Sequence, residues 1–428
     1  MSVTAEKSSA TAIRPFQIDI PDETLEDLRR RVGSVRCPSR ELVDDRSQGV
    51  QLATIGALAR YWVTEYDWRR CEAKLNALPQ FKTEIDGEET HFIHVKSRHE
   101  DALPLIMTHG WPGSVIELLE AVGPLTDPTE HAGSAEDAFD LVLPSIPGHG
   151  FSAEPTELSW SAGRVAQAWP VVMHRLGYSR YVAQGGNQGA AVSDAMGRQS
   201  PEGLIGIHLN LLVPALGNAS AFPTKSDEER AAADALATFR ASGFGYFLEQ
   251  ATRLQTIGYA LLDPPLALAA WMLDHDTDSY YKISRAFVDG QPSGNLTRDH
   301  ILDNITTYWL TGTGASAARS CWEGGQAAAR CGRAGSTTRL GPRRIHHVPR
   351  RDLPDPAQRG RAGVPQPQLL QRRRQGRPLR RLGRARTVRD RSPRRVPTAP
   401  LAAGRRSPAK RRSNSLECVE AVSEVARL

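Results

Sequence analysis

The stretch 181–192 constrains the fold of this chain more than any other part of its sequence. It reads Tyr-Val-Ala-Gln-Gly-Gly-Asn-Gln-Gly-Ala-Ala-Val, a β-rich run that ends in two glycines and leads into an Ala-rich helical run. The spacing of Gly185 and Gly189 around Asn187 predicts a nucleophile elbow, a sharp strand-to-helix turn whose central residue is strained and whose neighbours must be small. The alternative interpretation of this motif alone is a Gly-rich strand–helix turn of any α/β protein.

The centre of the predicted elbow carries the wrong chemistry for a hydrolase. Hydrolytic elbows place Ser, Cys or Asp there because the group must attack carbon. Asn187 offers a neutral amide instead, which is a poor nucleophile. An esterase or a lipase is disfavoured for the same reason, since no Ser stands at this position.

Strands alternate with helices over the first half of the chain. Apolar strands are predicted at 91–95, 103–107, 139–143, 181–183 and 204–209, with helices at 115–122 and 162–176, and a short strand is indicated by the alternation of Phe16, Ile18 and Ile20. This order predicts an α/β protein with a doubly wound, mostly parallel sheet. Three of the strands end in Gly-rich loops, at the sheet edge where open α/β sheets place their sites.

Four regions follow from the pattern along the chain. Helices predicted at 21–32, 49–61 and 68–78 make 1–85 an N-terminal helical meander, and 86–212 is the first half of the sheet core. Residues 213–325 contain helical runs at 228–241, 247–259, 265–273 and 298–310 without a clear strand, which predicts a helical lid. The last region, 326–428, is an Arg-rich tail for which we predict disorder.

The charge of the chain is divided unevenly. Residues 330–412 contain 25 Arg, one Lys and three Asp, and no Phe, Trp or Tyr, so the rest of the chain has 28 basic and 45 acidic residues.

No apolar run is long enough to span a membrane, and the N-terminus lacks an apolar signal core, so we expect a cytoplasmic protein. The five cysteines show no metal-ligand spacing, and we expect neither a metal nor a cofactor.

Three loop motifs together resemble one family. The motifs are His-Gly-Trp-Pro-Gly-Ser at 109–114, Pro-Gly-His-Gly-Phe-Ser at 147–152 and Gly-Gly-x-x-Gly-Ala at 185–190. They resemble the microsomal-type epoxide hydrolases of the α/β-hydrolase fold, and so do Gly-Tyr-Phe at 245–247 and the run 308–314. The resemblance covers roughly residues 12–325, and the N-terminal region typical of the family would run to about residue 118.

The resemblance implies a reaction and its parts. An elbow Asp attacks a small apolar epoxide and forms an alkyl-enzyme ester, two lid tyrosines donate hydrogen bonds to the epoxide oxygen, and a His oriented by an acid activates water to release the diol. No cofactor or metal is implied. Carried onto this sequence, the nucleophile position is Asn187, the first lid tyrosine is Tyr246 and Cys321 stands in place of the second.

Further roles are implied for four residues of the same loops and lid. The backbone N–H groups of Trp111 and Gln188 would form the oxyanion hole. His109 and Trp309 would contact the substrate. Gln188 departs from the family pattern, which has Trp after the nucleophile.

The tail lacks the acid and the Gly-Gly-His-Phe loop with which the family ends. Read one base later, the codons of 348–354 can give Phe-Pro-Gly-Glu-Ile-Tyr, and those of 374–383 can give Asp-Lys-Gly-Gly-His-Phe-Ala-Ala-Trp-Glu. The codons of 364–372 and 394–399 can likewise give family motifs, in the family's order. We therefore predict that the reading frame slips between about 322 and 348, which removes the catalytic acid and His and leaves an inactive or impaired hydrolase.

Two alternatives to an epoxide hydrolase remain open at this stage. One is a catalytically dead α/β-hydrolase scaffold that binds an apolar ligand under its lid. The other is nucleic-acid binding through Arg runs such as 372–374, which could neutralise phosphates. The tail has none of the aromatic residues that single-strand binders interleave with charge, so we expect no specific nucleic-acid partner. The sequence leaves the oligomeric state open.

Overall fold

A computed structural model of the chain describes residues 11–210, 226–294 and 296–333. Seven strands form one sheet in the order β1-β2-β3-β5-β4-β6-β7. The strands are β1 (Arg14–Phe16), β2 (Gln80–Ile85), β3 (Glu88–Val95), β4 (Leu103–Thr108), β5 (Phe139–Pro144), β6 (Tyr181–Gly185) and β7 (Leu204–Leu209). The first three strands and β5 pair antiparallel, and β5, β4, β6 and β7 pair parallel. The α/β fold with a doubly wound, mostly parallel sheet is thereby confirmed.

Helices cover both faces of the sheet and form the two helical regions. The first half contains α1 (Asp22–Gly33), α2 (Leu52–Thr64), α3 (Trp68–Asn76), α4 (Val122–Thr126), α5 (Ala162–Arg175) and α6 (Gln188–Gln199). The second contains α7 (Asp227–Thr238), α8 (Gly245–Leu262), α9 (Pro265–Leu273), α10 (Thr277–Val288), α11 (Arg298–Leu310) and α12 (Gly314–Arg333), with a π-helical turn at Phe239–Gly243. The region predicted as a lid is thus helical where it is described.

Two apolar clusters hold these layers together. One joins α1–α3 and the lid helices α9–α11 to one face of the sheet, and large buried side chains such as Trp62 and Tyr308 lie in it. The other packs α5 and α6 against the opposite face around Trp169. The N-terminal meander therefore supports the lid directly.

The strand predicted from Phe16, Ile18 and Ile20 ends at Phe16. Beyond that residue, side chains take over the hydrogen bonds that a ladder would supply. The amide of Ile18 donates to Asn76 Oδ1 at 2.9 Å, and the amide of Ile20 donates to Glu72 Oε1 at 2.9 Å. The apolar alternation is real, but it serves packing against α3 rather than strand pairing.

Four other elements differ from the sequence-based expectation. The predicted helix 115–122 is a 3₁₀ helix, Val115–Ala121, followed by the short α4. Strand β2 and helices α10 and α12 were not predicted. The strand was missed because it buries a polar residue, Gln80, which hydrogen-bonds to His91 of β3 at 3.0 Å.

The described part of the chain ends in α12. This helix reaches Arg333, eight residues into the region predicted to be disordered. It continues past residue 325 because residues 326–329, Gln-Ala-Ala-Ala, are good helix formers. The remaining prediction of disorder, and the proposed change of reading frame, concern residues outside the described part. Among the described residues, β7 pairs on one side only.

Candidate active site

The elbow forms as predicted where β6 enters α6. Asn187 has φ 51° and ψ −116°, a left-handed backbone that a residue other than glycine adopts only when its surroundings enforce it. Its small neighbours are required for close approach. A Cβ at Gly185 would lie 2.0 Å from the carbonyl oxygen of Gly189, and a Cβ at Gly189 would lie 2.0 Å from that of Thr108.

The side chain of Asn187 occupies the predicted oxyanion hole. Its Oδ1 accepts a hydrogen bond from the backbone N–H of Gln188 at 2.7 Å and from that of Trp111 at 3.3 Å. These two donors therefore converge on one point, as an oxyanion hole requires. They come from the start of α6 and from the loop 109–114.

The loop 109–114, which we call the oxyanion loop, is fixed at several of its backbone groups. Asn304 of α11 donates to the carbonyl of Pro112 at 2.7 Å, and Tyr308 donates to that of Gly113 at 2.6 Å. On the other side, the N–H of Gly110 donates to Glu117 Oε1 at 3.0 Å. The lid helix and the 3₁₀ helix thus hold the loop from two directions.

Tyr246 stands over this loop at the start of α8. Its ring stacks on that of Trp111, with centroids 4.9 Å apart and an angle of 17° between the planes, and His275 meets both rings edge-on at 6.4 Å. Burial raises the pKa of Tyr246, so the hydroxyl remains protonated at neutral pH. It has no hydrogen-bond partner among the described residues, which leaves its proton available to a ligand.

Cys321 of α12 lies in a polar group beside the elbow. Its thiol donates to Gln250 Oε1 at 3.1 Å, and Gln188 Nε2 lies 3.8 Å from the sulfur and donates to Ser320 Oγ at 2.6 Å. Burial raises the pKa of Cys321 to about 12, so the thiol is protonated. Gln250 lies on α8, the helix that carries Tyr246, so the bond from Cys321 joins the two helices on which the predicted lid positions stand.

His109 supports loop backbone. Its Nε2 accepts from the N–H of Ile146 and its Nδ1 donates to the carbonyl of Gly110, both at 3.1 Å. Burial lowers the pKa of His109 to about 4 and that of the neighbouring His149 to about 3, so both rings are neutral. Both nitrogens of His109 are therefore engaged within the protein, and its ring links two Gly-rich loops.

Trp309 lies on α11, partly buried against the larger apolar cluster. Its indole Nε1 is buried and has no hydrogen-bond partner among the described residues. Its chain neighbour Tyr308 is fully buried and contacts the oxyanion loop. The sequence prediction assigned a role to Trp309 and none to Tyr308.

Three other residues of the site were missed from the sequence, although two left a signal. Gln250 follows Tyr246 by four residues and so lies on the same helix face. Glu117 follows Ser114 by three residues, a spacing typical of a capping box. In the structure Glu117 bonds to Gly110 instead, and nothing in the sequence pointed to Asn304.

The structure gives no support for a metal site in its described part, where no group of three or more His, Cys, Asp or Glu side chains is arranged to hold an ion. The same residues contain no helix with the length and apolar character needed to cross a bilayer.

Comparisons with known proteins point to one family. The family model described as the epoxide hydrolase N terminus matches residues 13–118. A putative epoxide hydrolase of Stigmatella aurantiaca is 50% identical over 313 residues, which cover 73% of this chain and 69% of that protein. Epoxide hydrolase 1 of Oryctolagus cuniculus is 33% identical, with 72% of each chain covered.

Solved structures agree with these sequence relatives. The epoxide hydrolase of Aspergillus niger superimposes with a TM-score of 0.62 at 30% identity, covering 74% of this chain and 80% of that one. The juvenile hormone epoxide hydrolase of Bombyx mori gives a TM-score of 0.60 at 29% identity, covering 75% and 78%.

Proposed function

This chain belongs to the microsomal-type epoxide hydrolase family, and from that premise we propose that it binds small apolar epoxides at the elbow but turns them over slowly or not at all. The observation that carries the proposal is Asn187. It has the backbone geometry and the oxyanion-hole contacts of the attacking residue, but its side chain is an amide. An amide lacks the charge with which a carboxylate attacks an epoxide carbon.

The rest of the site supports binding of an epoxide. Tyr246 presents a protonated hydroxyl without a partner, which suits donation to an epoxide oxygen. Its stacking on Trp111 fixes the direction of that hydroxyl. Cys321 is a weaker hydrogen-bond donor than tyrosine, and its S–H already donates to Gln250 Oε1. We therefore propose that one of two acid groups is lost together with the nucleophile.

The second part of the proposal concerns the C-terminal region. A change of reading frame between about 322 and 348 accounts together for the Arg excess, the missing aromatics and the missing Gly-Gly-His-Phe loop. Without that loop the ester would lack the base that activates water. Resequencing the gene across codons of about 315–400 from a fresh template tests this, because a base that disappears on resequencing would restore an acid and a His.

A direct test of the proposed function is to incubate the purified chain with styrene oxide and measure diol by chromatography. We expect no diol above the buffer rate. Steady turnover near the ordinary enzyme range, about 1–10³ s⁻¹, would refute the proposal. A heat-unfolded sample of the same chain is the matched blank.

A ligand-binding scaffold without catalysis is the second candidate. The observation that favours it is the Trp111–Tyr246 stack, an apolar surface with one unpaired hydroxyl, which does not depend on the nucleophile. Quenching of tryptophan fluorescence by styrene oxide, without diol, would support it. Loss of that quenching in Tyr246→Ala, but not in Tyr259→Ala on the exposed side of α8, would locate the ligand.

A further inference from the structure

Glu117 is a carboxyl group of the site for which the family resemblance implied no role. It lies on the 3₁₀ helix Val115–Ala121, directly after the oxyanion loop. Desolvation by the surrounding protein raises the pKa of Glu117 to about 7, although the residue keeps exposed surface.

The two oxygens of Glu117 contact the oxyanion loop at both ends. Oε1 accepts from the N–H of Gly110 at 3.0 Å. Oε2 lies so close to Gly113 that a Cβ there would be 1.7 Å away, so only glycine leaves room for the carboxyl group. No cation pairs with Glu117 among the residues that the structure describes, so its partner is the loop itself.

Gly110 connects this carboxyl group to the elbow. A Cβ at Gly110 would lie 2.5 Å from Cβ of Asn187 and 3.1 Å from its Oδ1, so the two residues are in van der Waals contact. The next N–H along the chain, that of Trp111, is the one that bonds to Asn187. A shift of Gly110 would therefore move an oxyanion-hole donor.

We propose that Glu117 is a positioning residue of the oxyanion hole, which holds the Gly110 amide so that the Trp111 amide points at the elbow. Asn304 and Tyr308 fix the carbonyls of the same loop from the lid, and Glu117 accepts from the N–H of Gly110, the residue that contacts Asn187. The bond is stronger when the acceptor is ionised. The inference rests on the proposed epoxide site for its catalytic meaning but not for its geometry.

Hydrogen exchange at single amides, read by NMR or fragmentation mass spectrometry, tests the geometry without catalysis. In Glu117→Leu we expect the Gly110 amide to exchange about 10- to 100-fold faster, as the loss of a bond to a charged acceptor predicts. Glu117→Gln keeps an acceptor oxygen and should restore most of the protection. Glu120→Leu, on the same helix but paired with Lys74 at the surface, should leave Gly110 unchanged.

The pH dependence separates positioning from simple packing. After correction for intrinsic exchange, protection of Gly110 should rise in the natural chain between about pH 6 and pH 8, as Glu117 ionises, and stay flat in Glu117→Gln. Tyr308, the titratable group that faces Glu117 from α11, remains protonated because burial raises its pKa far above neutral. Equal profiles in the two proteins would overturn the proposal, even if Glu117→Leu does not fold.

A catalytic readout uses the Asn187→Asp background. In this background the covalent adduct with styrene oxide should decay about tenfold more slowly when Glu117→Leu is added, because the oxyanion hole stabilises the tetrahedral intermediate of ester hydrolysis. An unchanged rate with faster Gly110 exchange would overturn the positioning role. Absence of any adduct in Asn187→Asp itself would instead count against the proposed function.

Discussion

Replacing Asn187 by Asp is the sharpest perturbation that the structure offers. The two side chains have nearly the same shape, so one carboxylate oxygen should take the place of Oδ1 between the amides of Gln188 and Trp111. The other oxygen replaces the amide nitrogen and gains the charge needed to attack carbon. We therefore expect Asn187→Asp to form the alkyl-enzyme ester with styrene oxide.

The expected lifetime of the ester follows from the catalytic groups that the described site contains and from those that it lacks. The two backbone donors of the oxyanion hole remain, and each such donor is worth roughly 10²–10³ in the rate of ester hydrolysis, the step in which the oxyanion develops. No described residue is placed as the base that hydrolyses the ester, and loss of such a group costs roughly 10⁴–10⁶. Starting from a typical turnover of about 10 s⁻¹, the ester should persist on the order of hours.

Intact-mass spectrometry measures both the formation of the ester and its lifetime in one experiment. We expect one epoxide mass per chain in Asn187→Asp, slow decay of that adduct, and about one equivalent of diol in total. Asn187→Ala is the control for alkylation of the cysteines. Many turnovers by Asn187→Asp would refute the loss of the C-terminal base, and a folded variant without adduct would refute the assignment of the elbow.

Three further predictions test separate parts of the structure. In the Asn187→Asp background, Tyr246→Phe should slow adduct formation by about 10²–10⁴, whereas Tyr259→Phe, exposed on the same helix, should have no effect in the same mass assay. Gly189→Ala forces a Cβ to within 2.0 Å of a backbone oxygen and should lower the free energy of unfolding by about 2 kcal/mol or more in urea titrations, whereas Gly56→Ala, with no atom within 4 Å, should be neutral or stabilising. Burial raises the pKa of Asp303 above its ordinary 3.8, so its contribution to stability is present below that pH and lost as pH rises through the raised pKa. Asp303→Asn should therefore reduce the fall in melting temperature as pH rises above about 3.8, and an unchanged fall would contradict this account.

Local sequence was sufficient to predict the elements whose structure depends on neighbouring residues in the chain. The elbow was predictable because glycine spacing, a β-rich run and an Ala-rich run are all contiguous, and Asn187 indeed has the strained backbone. The apolar parallel strands β4, β5 and β6 were predictable because burial on both faces demands continuous apolar runs. Such signals need no knowledge of distant partners.

The sequence failed where polar residues satisfy one another across the fold. Strand β2 can bury Gln80 because the ring Nε2–H of His91, on the neighbouring strand, donates to its amide oxygen. Ile18 and Ile20 leave the sheet because Asn76 and Glu72 of α3 take their amides. No local pattern reveals that a buried polar group will find its hydrogen bond.

The sequence by itself determined the family, the elbow and the missing nucleophile, because these depend on which residues stand next to one another. Only the tertiary structure decided that Tyr246 stacks on Trp111 and that Glu117 binds Gly110 at the edge of the hole. The first contact joins a lid helix to a loop that is far away in the chain. The second brings the side chain of Glu117 back to the loop that precedes it. Their geometry depends on how whole elements pack, and a pKa near 7 for Glu117 depends on the burial that such packing creates.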